Sequence, residues 1–346
     1  MRKILLLIIL IFTFIMPVSA MEFTAPSAPD EALEYMPENT ESFGEGLWFV
    51  VKSAVSNLMP AVAEAAGTCL SVMAVVILTS IVQSFSAGTK KIVTLTGVFS
   101  IGLLLIQPAN SLIHLGTETV SQLSEYGKLL LPVMSAAMAA QGGGGTSAAL
   151  YTGTVLFSTV LSTLISKLLV PLVYIYLCIS LANSAIGEKA LDGIKDFIKW
   201  LKTWSLKTIL YIFTGYMGLT KVVSGSADAA ALKATKLVIS GSVPVVGSII
   251  SDASETILVS AGIMKSAAGV YGLLAIVAIC IGPFLHIGIH YLLLKVTAAA
   301  CCVFGSKEMT GIIKDFSTTM GYVLAMTGAV CLLLLVSIVC FMKGVG

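Results

Sequence analysis

Gly241, Pro244 and Gly247 interrupt one apolar run, and Asp252, Glu255 and Lys265 follow close behind it. Glycine- and proline-broken backbone is tolerated at membrane depth only where protein buries it or it lines water. Ionisable residues set in apolar sequence are functional candidates by default. Together they describe a pore-lining or ion-handling segment. The spacing of Asp252 and Glu255 also fits a helix-capping pair at an interfacial boundary, and the sequence leaves both readings open. The corresponding part of the first half holds Pro132 and the glycines Gly142, Gly143, Gly144 and Gly145. Four glycines make a flexible connection or a close backbone approach. They lack the Lys-Ser/Thr ending of a phosphate-binding loop, and GxxxxGK[ST] occurs nowhere, so ATP hydrolysis is not expected of this chain.

His286 and His290 lie four apart, on one face of a helix, a spacing that metal sites use. No neighbouring carboxylate in the sequence completes a ligand set, so a packed or hydrogen-bonded pair is expected and no metal. The seven cysteines (Cys69, Cys178, Cys280, Cys301, Cys302, Cys331, Cys340) all sit in apolar stretches without a CxxC pair and read as small buried hydrophobes. No nucleophile–base arrangement stands out. The expectation is a protein that is not an enzyme and carries no cofactor.

The elements that position these residues are set by composition. Hydrophobic residues make up 57% of the 346, charged residues only 11%, and mean hydropathy is +0.99. Soluble domains are about 25% charged, so the chain reads as an all-α, polytopic integral membrane protein whose immediate environment is the lipid bilayer. Net charge is +2, and without Arg2 and Lys3 the balance is even. That excludes a strongly basic surface and makes nucleic acid an unexpected partner. Every basic residue except Arg2 is lysine, so bidentate arginine clamps are absent after residue 2.

Met1-Arg2-Lys3, a short apolar run and Val18-Ser19-Ala20 form a signal-peptide pattern over residues 1–20. Residues 21–46 hold seven acidic side chains and no lysine, the pattern expected of an extracytoplasmic flexible arm. Apolar residues around Trp48 predict a short interfacial helix. Residues 61–85, 92–113, 148–168, 169–186, 206–223, 270–296 and 318–342 are long and apolar enough to span a bilayer, which takes about 20 residues. Two shorter runs, 129–140 and 237–250, are broken by Pro132 and by Gly241, Pro244 and Gly247. Lys90, Lys91 and the lysine-rich stretch 187–207 are expected on the cytoplasmic side. In that stretch Leu191, Ile194, Phe197, Ile198, Trp200, Leu201 and Trp204 recur at helical spacing, predicting an amphipathic helix on the inner surface. Lysine parity requires the broken runs to cross as well and calls for four crossings in each half after two leading helices, ten in all and one more than the nine runs named. Lys167, Lys221 and Lys295 near span ends fit snorkelling. The Gly321, Ala325, Ala329 stripe suits close helix packing.

Two echoes point to duplication. Pro171 and Pro283, and Pro132 and Pro244, are both 112 residues apart, and Ile-Lys-Asp-Phe occurs at 194–197 and again at 313–316. Repeats with matched breakers mark transporter-like membrane folds. The organisation expected is a leading region 47–127, a first membrane repeat 128–235 and a second 236–346.

Phe213-Thr214-Gly215-Tyr216-Met217-Gly218-Leu219, residues 228–236, Gly241 to Glu255 and Lys265 to Gly272 are similar to the stage III sporulation protein AE family. The similarity extends over the signal peptide, the arm and the spans. It implies a multi-pass subunit of a secretion-like channel complex between mother cell and forespore, in the mother-cell membrane around the forespore, required after engulfment. Implied partners are other membrane proteins of the sporulation A operon, a separate ATPase and ring-forming subunits. The resemblance supplies no catalytic residues. The alternative is a stand-alone secondary transporter of a small solute with its site at the broken helices.

Overall fold

The computed structural model describes residues 25–37, 43–85, 88–186, 191–242 and 247–343, with the side chains of 221–265 outside the description. The described residues form helices and no strand. Hydrocarbon offers the backbone no hydrogen-bond partner, so each segment must satisfy its own N–H and C=O groups, as a helix does. Helices α1 (Asp30–Leu33) and α2 (Phe43–Ser56) precede α3 (Met59–Phe85) and α4 (Lys90–Ala140). Next, α5 (Gly144–Leu164) runs through a π turn (Ile165–Leu169) into α6 (Val170–Ile186). The last three helices are α7 (Asp192–Ser242), α8 (Gly247–Phe304) and α9 (Lys307–Lys343).

Five stretches among the described residues are long and apolar enough to cross a membrane: α3, α4, the α5–α6 rod, Ser266–Phe304 of α8, and α9. The chain is a multi-pass membrane protein. Among the described residues, some of the neighbouring apolar runs expected to cross separately share one helix. Pro132 lies inside α4 without interrupting it, so the run 129–140 continues the span begun at 92–113. The expected spans 148–168 and 169–186 likewise form one rod. Pro171 has no N–H for the carbonyl four residues back, and the preceding turn widens so that the Val170 N–H reaches the Ile165 carbonyl. The result is a π bulge rather than a reversal. A 51-residue helix such as α4 is about 77 Å long, more than twice the ~30 Å hydrocarbon core.

These rods form an antiparallel bundle. Helix α4 pairs with α5–α6 along its whole length, from Ser135 Oγ to Ser147 Oγ at 2.8 Å, through Tyr174 OH donating to Asn110 Oδ1 at 2.7 Å, to Gly102 under Leu181. Helices α8 and α9 make a second hairpin, with Ser317 Oγ donating to the Tyr291 carbonyl at 3.1 Å and Gly269 lying against Met342. The hairpins interlock where Gly116 of α4 meets Val323 of α9, and Gly127 meets Leu334. Helix α7 lies along α5, with the Tyr216 OH on the Ala149 carbonyl at 2.9 Å and Phe157 edge-on to Phe213.

The described part of the arm, residues 25–37, is packed where a flexible segment was expected. Ala28, Ala32 and Met36 are buried, the Ala28 N–H meets the Tyr271 hydroxyl at 3.3 Å, and Gln122 Nε2 donates to Glu31 at 2.9 Å. Small side chains at 28 and 32 let the backbone sit against α4 and α8. The predicted short helix is α2, with Trp48 exposed. The signal-peptide pattern of residues 1–20 lies outside the described residues.

Candidate functional site

The segment singled out by its breakers is described only as backbone. Gly241 falls in the last turn of α7, Gly247 opens α8, and Asp252, Glu255 and Lys265 follow within α8. Their side chains, and Pro244 altogether, lie outside the described residues. In the first half, Gly142 takes a positive φ of 88°, Gly143 caps α5, and Gly144 and Gly145 form its first turn. The tetraglycine is a tight reversal between α4 and α5, held by Ser135 and Ser147.

A polar constellation the sequence reading did not assemble sits where α6, α7 and α9 meet. Asp315 of α9 accepts a hydrogen bond from the Tyr176 hydroxyl of α6 at 2.7 Å. Its other carboxylate oxygen takes the Lys195 ammonium of α7. Both partners of that ion pair are about nine-tenths buried, in a position where an unpaired charge is strongly disfavoured. Two turns further along α7, Lys202 is only 1% exposed. Its ammonium stands 4.3 Å from the Tyr176 ring centroid and 3.9 Å from that of Tyr322, and it has no hydrogen-bond partner. Two aromatic faces supply the negative potential that a water shell would otherwise give. Burial pushes the Lys202 pKa down to about 7, the nearby Lys199 adds to the fall, and Asp315 opposes it. The cluster can therefore hold one fixed ion pair beside a cation that gains or loses its proton near neutrality.

The lysine-rich helix is amphipathic, as expected, but two of its lysines lie on the face that packs into the bundle. Lys195, Ile198, Lys202, Ser205 and Leu206 face the bundle. Ile194, Phe197, Trp200 and Trp204 face outward, Trp200 and Trp204 stacked at 5.9 Å. Asp315 and the tyrosines make the interior polar at this level, so the lysines turn in and the aromatics are left for the surroundings. The signal was present as the 195, 198, 202, 205 stripe, opposite 197, 200 and 204.

A second group is completed by an element far away in sequence. Glu64 of α3 brings its carboxylate to His286 of α8, Oε2 to Nε2 at 3.4 Å, and His290 lies one turn on, with ring centroids 5.1 Å apart. The carboxylate that the local sequence lacks is supplied in space. The cysteines are all free. The stripe of Gly321, Ala325 and Ala329 lines an apolar groove between α7 and α9, with Leu206, Leu210 and Phe284 on its walls.

No solved structure matches the chain. Among characterised proteins, "Stage III sporulation protein AE" of Bacillus subtilis (strain 168) is 22% identical over 267 residues, which is 76% of this chain and 66% of that protein. The chain thus spans slightly under two thirds of the length of the relative it matches. The sequence profile of the family described as Stage III sporulation protein AE aligns with residues 42–344, from α2 through the end of α9, and the chain belongs to that family.

Proposed function

We propose that this chain is a membrane subunit of the secretion-like channel complex that joins mother cell and forespore and sustains endospore development after engulfment. The observation that carries the reading is the family match over residues 42–344, which takes in every long helix of the bundle. Sporulation as the setting follows from family membership. The channel role is the finer step.

The architecture supports a subunit over a self-contained carrier. Rods more than twice the thickness of a bilayer's hydrocarbon core reach past one membrane surface, where other proteins are available for contact. The strongest buried charges, Lys195 and Asp315, are spent on each other and on Tyr176, which ties three helices together. In this role the chain catalyses nothing. Energy comes from a separate ATPase, and ring-forming proteins of the same operon complete the conduit. The protein sits in the mother-cell membrane around the forespore, with the arm of residues 21–46 on the extracytoplasmic side.

The test is a clean deletion in the endospore-forming host, scored for vegetative growth and for forespore development by microscopy, with complementation by the intact gene. Normal growth with forespores arrested after engulfment is the expected result. Normal sporulation would overturn the proposal and favour the secondary-transporter reading. That reading requires solute uptake by the purified chain alone in proteoliposomes and sensitivity to Asp252→Asn.

A further inference from the structure

We infer that Glu64, His286 and His290 form a binding site for a divalent transition-metal ion, zinc being the ion their donor set suits best. The inference is independent of the sporulation role. Three observations converge on it.

The donors are correctly assembled. One ligand atom from each residue lies within 4.8 Å of the others. Ligand atoms on a tetrahedral ion with bonds of 2.0–2.1 Å stand about 3.4 Å apart, the separation Glu64 Oε2 and His286 Nε2 already have. The Glu64 side chain is half exposed, which leaves it room to adjust toward the rings.

The tautomer of His290 is the ligating one. Its Nδ1 lies 3.1 Å from the His286 carbonyl oxygen, which can only accept, so Nδ1 carries the proton and donates. A neutral imidazole then presents a bare lone pair at Nε2. Metal-bound histidines are oriented in this way, with the second nitrogen donating to a carbonyl or carboxylate.

The Nε2 atoms of both rings also lack a hydrogen-bond partner. Both atoms are buried, and His290 as a whole is 2% exposed. The Glu64 contact lacks hydrogen-bond geometry. Two adjacent buried imidazole nitrogens left without partners are costly, and one cation satisfies both while neutralising the carboxylate. The ligand set of two imidazoles and one carboxylate suits zinc and its neighbours over calcium or magnesium, which prefer all-oxygen shells. Three protein ligands leave a coordination position for water. A neighbouring cavity reaches His286 and carries Glu31, Glu34 and Gln122 among apolar residues on its walls. A bound ion would join α3 to α8 at the level where the arm docks.

Full-length, tag-free protein in detergent, stripped with chelator and dialysed against zinc chloride, tests this by elemental analysis. One zinc per chain is expected in the wild type and its loss in Glu64→Gln and in His286→Gln, with helical content by circular dichroism unchanged. Zinc is expected to raise the melting temperature of the wild type and not that of Glu64→Gln, since only a native-state ligand stabilises by mass action. Cobalt in place of zinc should give visible d–d bands without the near-ultraviolet thiolate band that cysteine ligation produces. Absence of zinc from the wild type, retention by both variants, or a thiolate band would each overturn the inference.

Discussion

Lys195 and Asp315 pair across two copies of the same four residues: the lysine comes from Ile-Lys-Asp-Phe at 194–197, the aspartate from Ile-Lys-Asp-Phe at 313–316. The copies lie on parallel stretches of α7 and α9, and the same register places Lys202 against Tyr322. Their other charges go elsewhere. Asp196 is exposed and meets Lys199 at 3.5 Å, while Lys314 borders a cavity with Tyr291 and Lys295. The apolar members divide as well: Ile313 and Phe316 are buried, Ile194 and Phe197 exposed. One short motif thus serves as core on α9 and as an outward face on α7, with a single ion pair joining the two.

Breaking that pair from either side should be severe. Lys195→Met leaves the Asp315 carboxylate with only the Tyr176 hydroxyl, and Asp315→Asn leaves a buried ammonium uncompensated. Removing one partner of a buried pair costs about 3–5 kcal/mol. The double variant Lys195→Met/Asp315→Leu removes both charges and should lose much less than the sum of the single changes. Unfolding midpoints of the four proteins in detergent measure this. Additive losses would mean that the pair contributes no coupling.

Lys202 makes stability depend on pH with a definite sign. Its folded pKa of about 7 lies below the ordinary lysine value of 10.5. Between those values the unfolded chain holds a proton that the folded chain has released, so stability rises with pH across that window. Below it both states are protonated and this contribution is flat. One proton of difference gives a slope of at most about 1.4 kcal/mol per pH unit. Lys202→Met should lack the slope and gain most, relative to the wild type, at pH 6. Melting curves from pH 6 to 10 decide the matter, and parallel profiles for the two proteins would contradict it.

The sequence carried the fold class through its apolar fraction and the positions of most spans through their length. Helix continuity was harder to read. Pro132 and Pro171 look like breakers in one dimension, but a proline inside a packed rod costs only the missing hydrogen bond and a local widening, which the neighbouring helices offset. The inward turn of Lys195 was not legible because its partner Asp315 lies 120 residues away. Glu64 was missed for the same reason: its histidines are over 200 positions away.

The antiparallel register of α4 and α5 can be fixed chemically. Ser135 Oγ and Ser147 Oγ are 2.8 Å apart, so cysteines at both positions, in a chain with the seven native cysteines replaced, should form a disulfide under mild oxidation. Cleavage in the intervening turn followed by gel analysis would then leave the fragments joined. Failure to cross-link would rule out the continuous hairpin and restore a break near Pro132.

Helix packing at Gly153 gives a more local test. A methyl group there would lie 2.0 Å from Tyr216 Cε1, so Gly153→Ala must push the ring aside and strain the hydrogen bond from the Tyr216 hydroxyl to Ala149. Overpacking of this kind costs about 1–3 kcal/mol. Gly215→Ala on the facing helix, where nothing lies within 4 Å, is the matched control and should be neutral or stabilising in a melting experiment.

The tetraglycine separates by position in the same way. Gly142 has a φ of 88°, in the left-handed region that costs a side-chain-bearing residue about 1–2 kcal/mol, so Gly142→Ala should lower stability by that amount. Gly144 begins α5 with open space around its α-carbon, and alanine is the better helix former by up to about 1 kcal/mol. Gly144→Ala should therefore be neutral or stabilising. Thermal midpoints of the two variants moving in opposite directions would show that the turn needs its glycine at one position for backbone geometry; equal losses would mean instead that the whole tetraglycine must stay flexible.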